Sequence, residues 1–291
     1  RVEYRDRAPG IPFSDSNVPA GISTFNVFLA YRNTFAWTPE QLAGGIDYTK
    51  ATQFHFLHAA SDYRLGGITG RTLESVKKPL ERRQWYSYVG QGSTNAAGFE
   101  GTTSLPTATA RLLSDGTTQI VKQDFNSKGN LTQRIDPMGR VFLYGYAPNQ
   151  VDLTSVSTGG KTLMSATYDG NHNIVSLTDS SGGTSSYSYN ERGQILSSTN
   201  SLGETTTYNY SPTGNLLSQQ EPLGKTTTYG YDSAERLVSA TDSEGYTVLA
   251  NYDQGDRPIG VTYPDGTTEV LNYDRLDLAS TTDRLGRQTL M

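Results

Sequence analysis

An aromatic ring returns at a fixed interval through more than half of this chain. Tyr168, Tyr189, Tyr210, Tyr231, Tyr252 and Tyr273 are each 21 residues apart. Tyr146 precedes Tyr168 by 22 residues, and Phe125 precedes Tyr146 by 21. Glycine keeps a second beat: Gly203, Gly224, Gly245 and Gly266 are spaced by 21, and Gly286 follows after 20. Gly139 closes an earlier turn of the same kind. Eight units in register are beyond chance. A period of this size means a repeat architecture, in which each unit buries surface mainly against its neighbours.

One unit, from Glu204 to Gly224, shows what is repeated. Glu204–Tyr210 is rich in Thr and Tyr, which favour strands. Ser211-Pro212-Thr213-Gly214 then has Pro second and Gly fourth, as a type I turn prefers. Asn215–Gln220 is a second strand, and Glu221-Pro222-Leu223-Gly224 is a second turn of the same design. Two short turns per unit join antiparallel neighbours. The expected fold is all-β: antiparallel hairpin repeats of 21 residues running on as one continuous, curved or spiralling sheet.

The pattern extends upstream. Pro222 to Tyr231, Pro137 to Tyr146, Pro264 to Tyr273 and Pro79 to Tyr88 all span 9 positions. Residues 72–91 therefore read as one more repeat. The 37 residues from Tyr88 to Phe125 exceed the period, which makes Gly90–Pro106 an insertion. Its Gly, Ser, Thr and Asn content reads as a surface loop. The chain divides into a β-rich region at 1–71, a divergent repeat with its insertion at 72–115, and regular repeats at 116–291. It stops before the next tyrosine falls due, so the last repeat is truncated and the sequence reads as a segment of a larger protein.

The recurring residues have structural readings. An Asp follows the timing tyrosine at Asp169, Asp232, Asp253 and Asp274. Ala147, Asn190 and Ser211 fill the same slot, and Ala cannot ligate calcium, so the Asp reads as a turn opener accepting local N–H groups. Gly139, Gly203, Gly224, Gly245, Gly266 and Gly286 suit a backbone with φ > 0. The ladder from Phe125 through Tyr273 reads as ring packing between neighbouring strands. Tyr208 and Tyr229 lie two residues before timing tyrosines and share their face. They are the rungs assigned to ligand stacking, with glycans as the ligand class. Which face of the sheet the tyrosines occupy stays open.

Composition excludes several functions. The chain has no Cys, which removes disulfides, thiolate metal sites and cysteine nucleophiles. Net charge is −5; residues 1–115 carry +2 and residues 116–291 carry −7. Neither part has the basic footprint of a nucleic-acid partner. No apolar run is long enough to span a membrane as a helix. His55 and His58 would share a face in a helix, but their surroundings read as a strand, which separates them. His172 falls in a turn. Asn130 and Asn209 match the glycosylation sequon, and Phe25–Tyr31 reads as a strand. No catalytic cluster, cofactor or metal site is expected.

Gly224, Tyr231-Asp232 and Arg236-Leu237 resemble the YD repeat of the Rhs family, with Glu235 replacing its second glycine. Asn190–Ile195 and Ser211–Leu216 keep that glycine. Asp136-Pro137-Met138-Gly139-Arg140 and Arg284-Leu285-Gly286-Arg287 are similar to its inter-repeat turn. The resemblance covers 116–291 and reaches 72–91. It implies the fold seen in Rhs proteins, in a component of insecticidal Tc toxin complexes and in teneurin ectodomains. There a β-sheet strip spirals into a hollow shell, and in bacterial members the shell encloses a C-terminal toxin. The implied partners are the rest of the same polypeptide shell and an enclosed effector, in a secreted or cell-surface setting. A glycan-binding or adhesive surface and a filament are the alternatives. The family's self-cleavage motif continues Asp-Pro-x-Gly with Leu; here Arg140 follows Gly139, so this stretch reads as an ordinary turn.

Overall fold

The computed structural model describes residues 1–7, 18–22, 29–59, 68–91 and 101–291. Most of the insertion expected at Gly90–Pro106, and most of the run Phe25–Tyr31, lie outside them. The described residues form 23 strands, one short α-helix and one short 3-10 helix. The all-β fold expected from the repeat is the fold observed. The chain divides into two compact units, Arg1–Leu163 and Met164–Met291.

In the first unit, β1 (Val2–Arg7), β2 (Tyr31–Ala36), β3 (Thr52–Ala59), β4 (Ile68–Lys77) and β5 (Gln84–Tyr88) lead. Then come β6 (Pro106–Leu112), β7 (Thr118–Phe125), β8 (Leu131–Ile135), β9 (Val141–Tyr146) and β10 (Leu153–Thr158). Each strand pairs antiparallel with the next in sequence. A small closed core sits near the beginning, where Phe35, Trp37 and Ala51 are buried against Leu42 and Tyr48. Tyr48 meets Phe35 edge-on, with ring centroids 4.9 Å apart. The helix α1 (Pro39–Leu42) is fixed there by a capping box between Thr38 and Gln41.

The strand expected around the histidines is β3. Among its described side chains, Gln53, His55 and Leu57 are buried, and the two phenylalanines between them are half-buried. Gln53 Oε1 accepts from the Arg83 guanidinium at 2.6 Å, and His55 sits in a buried polar cluster. Asn33 on β2 donates to the Leu29 carbonyl at 2.8 Å, and its Oδ1 lies 2.9 Å from His55 Nδ1. His55 Nε2 lies 3.1 Å from a carboxylate oxygen of the buried Glu74 on β4.

The second unit contains most of β11 (Lys161–Tyr168), followed by β12 (Ile174–Asp179), β13 (Thr184–Tyr189), β14 (Ile195–Thr199), β15 (Thr205–Tyr210) and β16 (Leu216–Gln220). Next are β17 (Thr226–Tyr231), β18 (Leu237–Thr241), β19 (Thr247–Tyr252), β20 (Pro258–Thr262), β21 (Thr268–Asp274), β22 (Asp277–Thr282) and β23 (Gln288–Leu290). From β11 to β23 each strand pairs antiparallel with its successor. Only Ala166 and Ser280 are buried in this unit. A sheet without a closed core depends on its ladders, turns and rungs, so these carry its stability.

Candidate functional site

The repeated rung combines ring packing with a specific register and hydrogen bond. Tyr210 pairs with Leu216, while Asn209 pairs with Ser218, so Leu217 is an extra residue in β16. The same register shift falls at Tyr168, Tyr189, Tyr231, Tyr252 and Tyr273. It also falls at Tyr88 and Phe125. A bulge of this kind sharpens the local twist and interrupts the ladder. On the other side of β16, pairing with β17 ends at Ser218–Thr228. Beyond that point the Tyr231 hydroxyl takes over and donates to the Leu216 carbonyl at 3.0 Å.

This link recurs at a constant separation of fifteen residues. Tyr88 donates to Leu73 at 2.6 Å, Tyr146 to Leu131 at 2.9 Å and Tyr189 to Ile174 at 2.7 Å. Tyr252 donates to Leu237 at 2.9 Å and Tyr273 to Pro258 at 3.1 Å. Tyr210 keeps the position without such a bond, and Phe125, at the end of β7, has no hydroxyl to give. Burial pushes the Tyr88 hydroxyl up to about 12, aided by Tyr86 and Glu74. Burial also raises Tyr189 and Tyr210, with Tyr187 and Tyr208 adding to it. All three stay neutral at physiological pH.

The turns are equally regular. Gly214 N–H donates to the Ser211 carbonyl at 3.0 Å, and Ser211 N–H to the Asn215 carbonyl at 2.8 Å. This is a type I turn followed by a left-handed residue. Gly139, Gly203, Gly224, Gly245, Gly266 and Gly286 all take that left-handed place, with φ between +77° and +86°. His172, Glu235 and Asp256 adopt it without being glycine, at +67°, +62° and +61°.

Asp169, Asp232 and Asp253 each open a turn and accept two backbone N–H groups through Oδ1. Asp274 departs from the expected role: it ends β21 opposite Asp277, in a tighter hairpin where Arg275 is left-handed. The Arg236 backbone N–H and then its side chain hold Asp232 below the usual carboxylate value. Arg257 does the same for Asp253.

Arg236 also reaches forward. It donates to the Asp253 carbonyl at 3.0 Å and lies 4.9 Å from the centre of the Tyr252 ring. Arg257 repeats the contact on Tyr273 at 4.5 Å. In other repeats Asn130 and Gln194 do this work, donating to the Gln150 and Gly214 carbonyls at 2.8 and 2.7 Å.

Tyr208 and Tyr229, assigned to ligand stacking, are half-buried and face Gln219 and Ala240 across their strand pairs. The opposite face is paved with hydroxyls, some paired directly, as in Thr199–Thr205 at 2.8 Å and Ser188–Ser197 at 2.6 Å. His172 is exposed, Asn130 lies in a turn and Asn209 within β15. Among the described residues, no three His, Cys, Asp or Glu side chains gather as a metal site. Among them too, no helix is long and apolar enough to cross a membrane.

A family model described as the teneurin YD-shell matches residues 100–280. Among solved structures, the chain is similar to TcdB2-TccC3-TEV at 14% identity and a TM-score of 0.52, over 81% of this chain and 13% of that one. It is similar to TcdB2-TccC3 at 15% identity and a TM-score of 0.51, over 92% of this chain and 16% of that one. At such identities the likeness is one of fold, and the chain spans about one sixth of the length of those structures or less. No curated protein matches it.

Proposed function

The chain belongs to the teneurin YD-shell family, and we propose that it forms part of a β-shell that encloses or displays an effector domain on the same polypeptide. The family and the likeness to Tc toxin structures support a structural, shell-type role. The observation that carries the reading is the rung itself. In six repeats the tyrosine hydroxyl closes a gap in the preceding strand pair, which extends a wall strand by strand. On this reading Phe125, Tyr146, Tyr168, Tyr189, Tyr210, Tyr231, Tyr252 and Tyr273 are structural. Residues 116–291 are the regular wall and 72–115 a divergent repeat, and the role is non-catalytic, at the cell surface or beyond it.

Protease protection tests enclosure. In the intact parent protein, the effector segment should survive digestion until the repeats are melted. Cleavage of that segment in the native protein as fast as in isolation would rule enclosure out.

A further inference from the structure

The turn between β4 and β5 differs from the regular inter-repeat turns in length and in charge. Pairing of these strands stops at Val76–Gln84, so residues 77–83 project past the ladder. A regular turn, such as the one between Gln220 and Thr226, leaves only residues 221–225 outside. The longer turn reads Lys77-Lys78-Pro79-Leu80-Glu81-Arg82-Arg83, with four cations against one carboxylate. Like charges crowded in this way repel, so the turn gains no stability from their number.

Two of the cations form the base of the turn. Arg83 donates to Gln53 Oε1 at 2.6 Å and to Ser75 Oγ at 3.1 Å, and its guanidinium lies 5.8 Å from the centre of the Trp85 ring. Lys77 Nζ donates to the Lys78 carbonyl at 3.0 Å and also to the Glu81 carbonyl, which draws the turn closed. Burial, and then the Arg83 charge, lower the Lys77 ammonium below the usual lysine value, while Glu81 opposes them. The other two cations are exposed. Lys78 keeps a 3.9 Å contact with Glu81, and Arg82 has no hydrogen bond or ion pair among the described residues.

Leu80 stands between them at the tip, fully exposed and left-handed, with φ +61°. A turn with Pro second and a left-handed residue third prefers Gly there, because a side chain is costly in that region. Leu80 is therefore disfavoured twice, by its backbone and by its contact with water. Strain kept at an exposed residue points to a task outside the fold. An exposed leucine alone is common in these turns, as at Leu202 and Leu223. Those are flanked by Glu204, and by Glu221 with Lys225. At Leu80 the apolar tip is flanked instead by cations in excess, with Lys78 and Arg82 two residues away on either side.

We propose that this turn docks on an anionic phospholipid surface, with Leu80 entering the acyl boundary and Lys78 and Arg82 meeting the headgroup phosphates. A bilayer presents anionic groups outside an apolar layer, and the turn presents cations behind an apolar tip, so the two match in order as well as in sign. Lys77 and Arg83 add to the attraction within a Debye length. The unit that carries the turn, Arg1–Leu163, has 17 basic and 13 acidic residues, so its net charge favours the approach. An extended polyanion would pair with the cations and leave Leu80 in water. One leucine and four cations give weak, reversible binding, since stable anchoring takes two strong signals.

The test is co-sedimentation of the full chain with vesicles of phosphatidylcholine alone and of an equal mixture of phosphatidylcholine and phosphatidylserine. The chain should pellet with the mixed vesicles and not with phosphatidylcholine alone, and high salt should release it. Leu80→Gly relieves the left-handed strain, so the fold, checked by circular dichroism, is kept. It should weaken binding roughly tenfold. Lys78→Glu combined with Arg82→Glu should weaken it roughly tenfold or more, while Leu202→Ser leaves it unchanged. The proposal is overturned if the mixed vesicles bind no more chain than phosphatidylcholine does, or if either folded variant of this turn binds as tightly as the parent chain. Binding of polyglutamate in place of the vesicles overturns it as well. None of these outcomes depends on whether an effector is enclosed.

Discussion

Replacing Tyr231 with Phe removes one oxygen atom and leaves the ring. That oxygen donates to the Leu216 carbonyl at 3.0 Å, where the strand ladder has already stopped. A protein hydrogen bond contributes about 0.5–1.5 kcal/mol net, because water competes for both partners. The site is half-buried, so water replaces the hydroxyl only in part. Tyr231→Phe should therefore cost about 1 kcal/mol, a fall of roughly 2–4 °C in Tm for a chain of this size. Tyr229→Phe is the matched control, two residues earlier on the same strand and face, with no protein partner for its hydroxyl. It should stay within about 0.5 kcal/mol of the parent chain. Non-adjacent rungs should add, so Tyr189→Phe, Tyr231→Phe and Tyr273→Phe together should cost about 3 kcal/mol. Calorimetry and urea titration read both numbers. If Tyr229→Phe costs as much as Tyr231→Phe, or the triple variant melts like the parent, the rungs work by ring packing alone.

The turn carboxylates set an acid limit. The Arg236 and Arg257 backbone N–H groups, then their side chains, hold Asp232 and Asp253 below the usual 3.8, and the Asn173 side chain and backbone do so for Asp169. Depressed folded values stabilise the protein fully above the unfolded value, and the gain fades as pH falls through them. Tm should hold steady down to about pH 4 and drop below it; a flat or rising curve contradicts the assignment. Glu235 stands left-handed at φ +62° where sister turns use glycine, so Glu235→Gly should raise stability by about 0.5–1 kcal/mol, and a lower Tm would count against this. Glu74→Ala strips the buried His55 of its neighbour 3.1 Å away and should cost about 1–3 kcal/mol in urea; a loss under about 0.5 kcal/mol would mean the pair is idle.

Much of this architecture is legible in the chain because it is periodic. Twenty-one residues divide into two strands and two turns, and Pro and Gly mark where each turn sits. The glycine conformations and the turn-opening role of Asp169, Asp232 and Asp253 follow from local chemistry. The partner of Tyr231 does not. It lies fifteen residues back, and finding it requires knowing that β16–β17 pairing stops at Ser218–Thr228. The Asn33, His55 and Glu74 cluster is hidden for a related reason. Three strands outside the regular repeat set it, and only their register brings the side chains together.

The rungs also have a direction. The hydroxyls of Tyr88, Tyr146, Tyr189, Tyr231, Tyr252 and Tyr273 all reach back toward the N-terminus, so each of these links seals a strand that was made before its own. During synthesis the Leu216 carbonyl is exposed until Tyr231 has left the ribosome, about 1–3 s later at typical elongation rates. The wall thus closes behind the growing chain like a zip with one slider, and each finished repeat owes its seal to the one made after it.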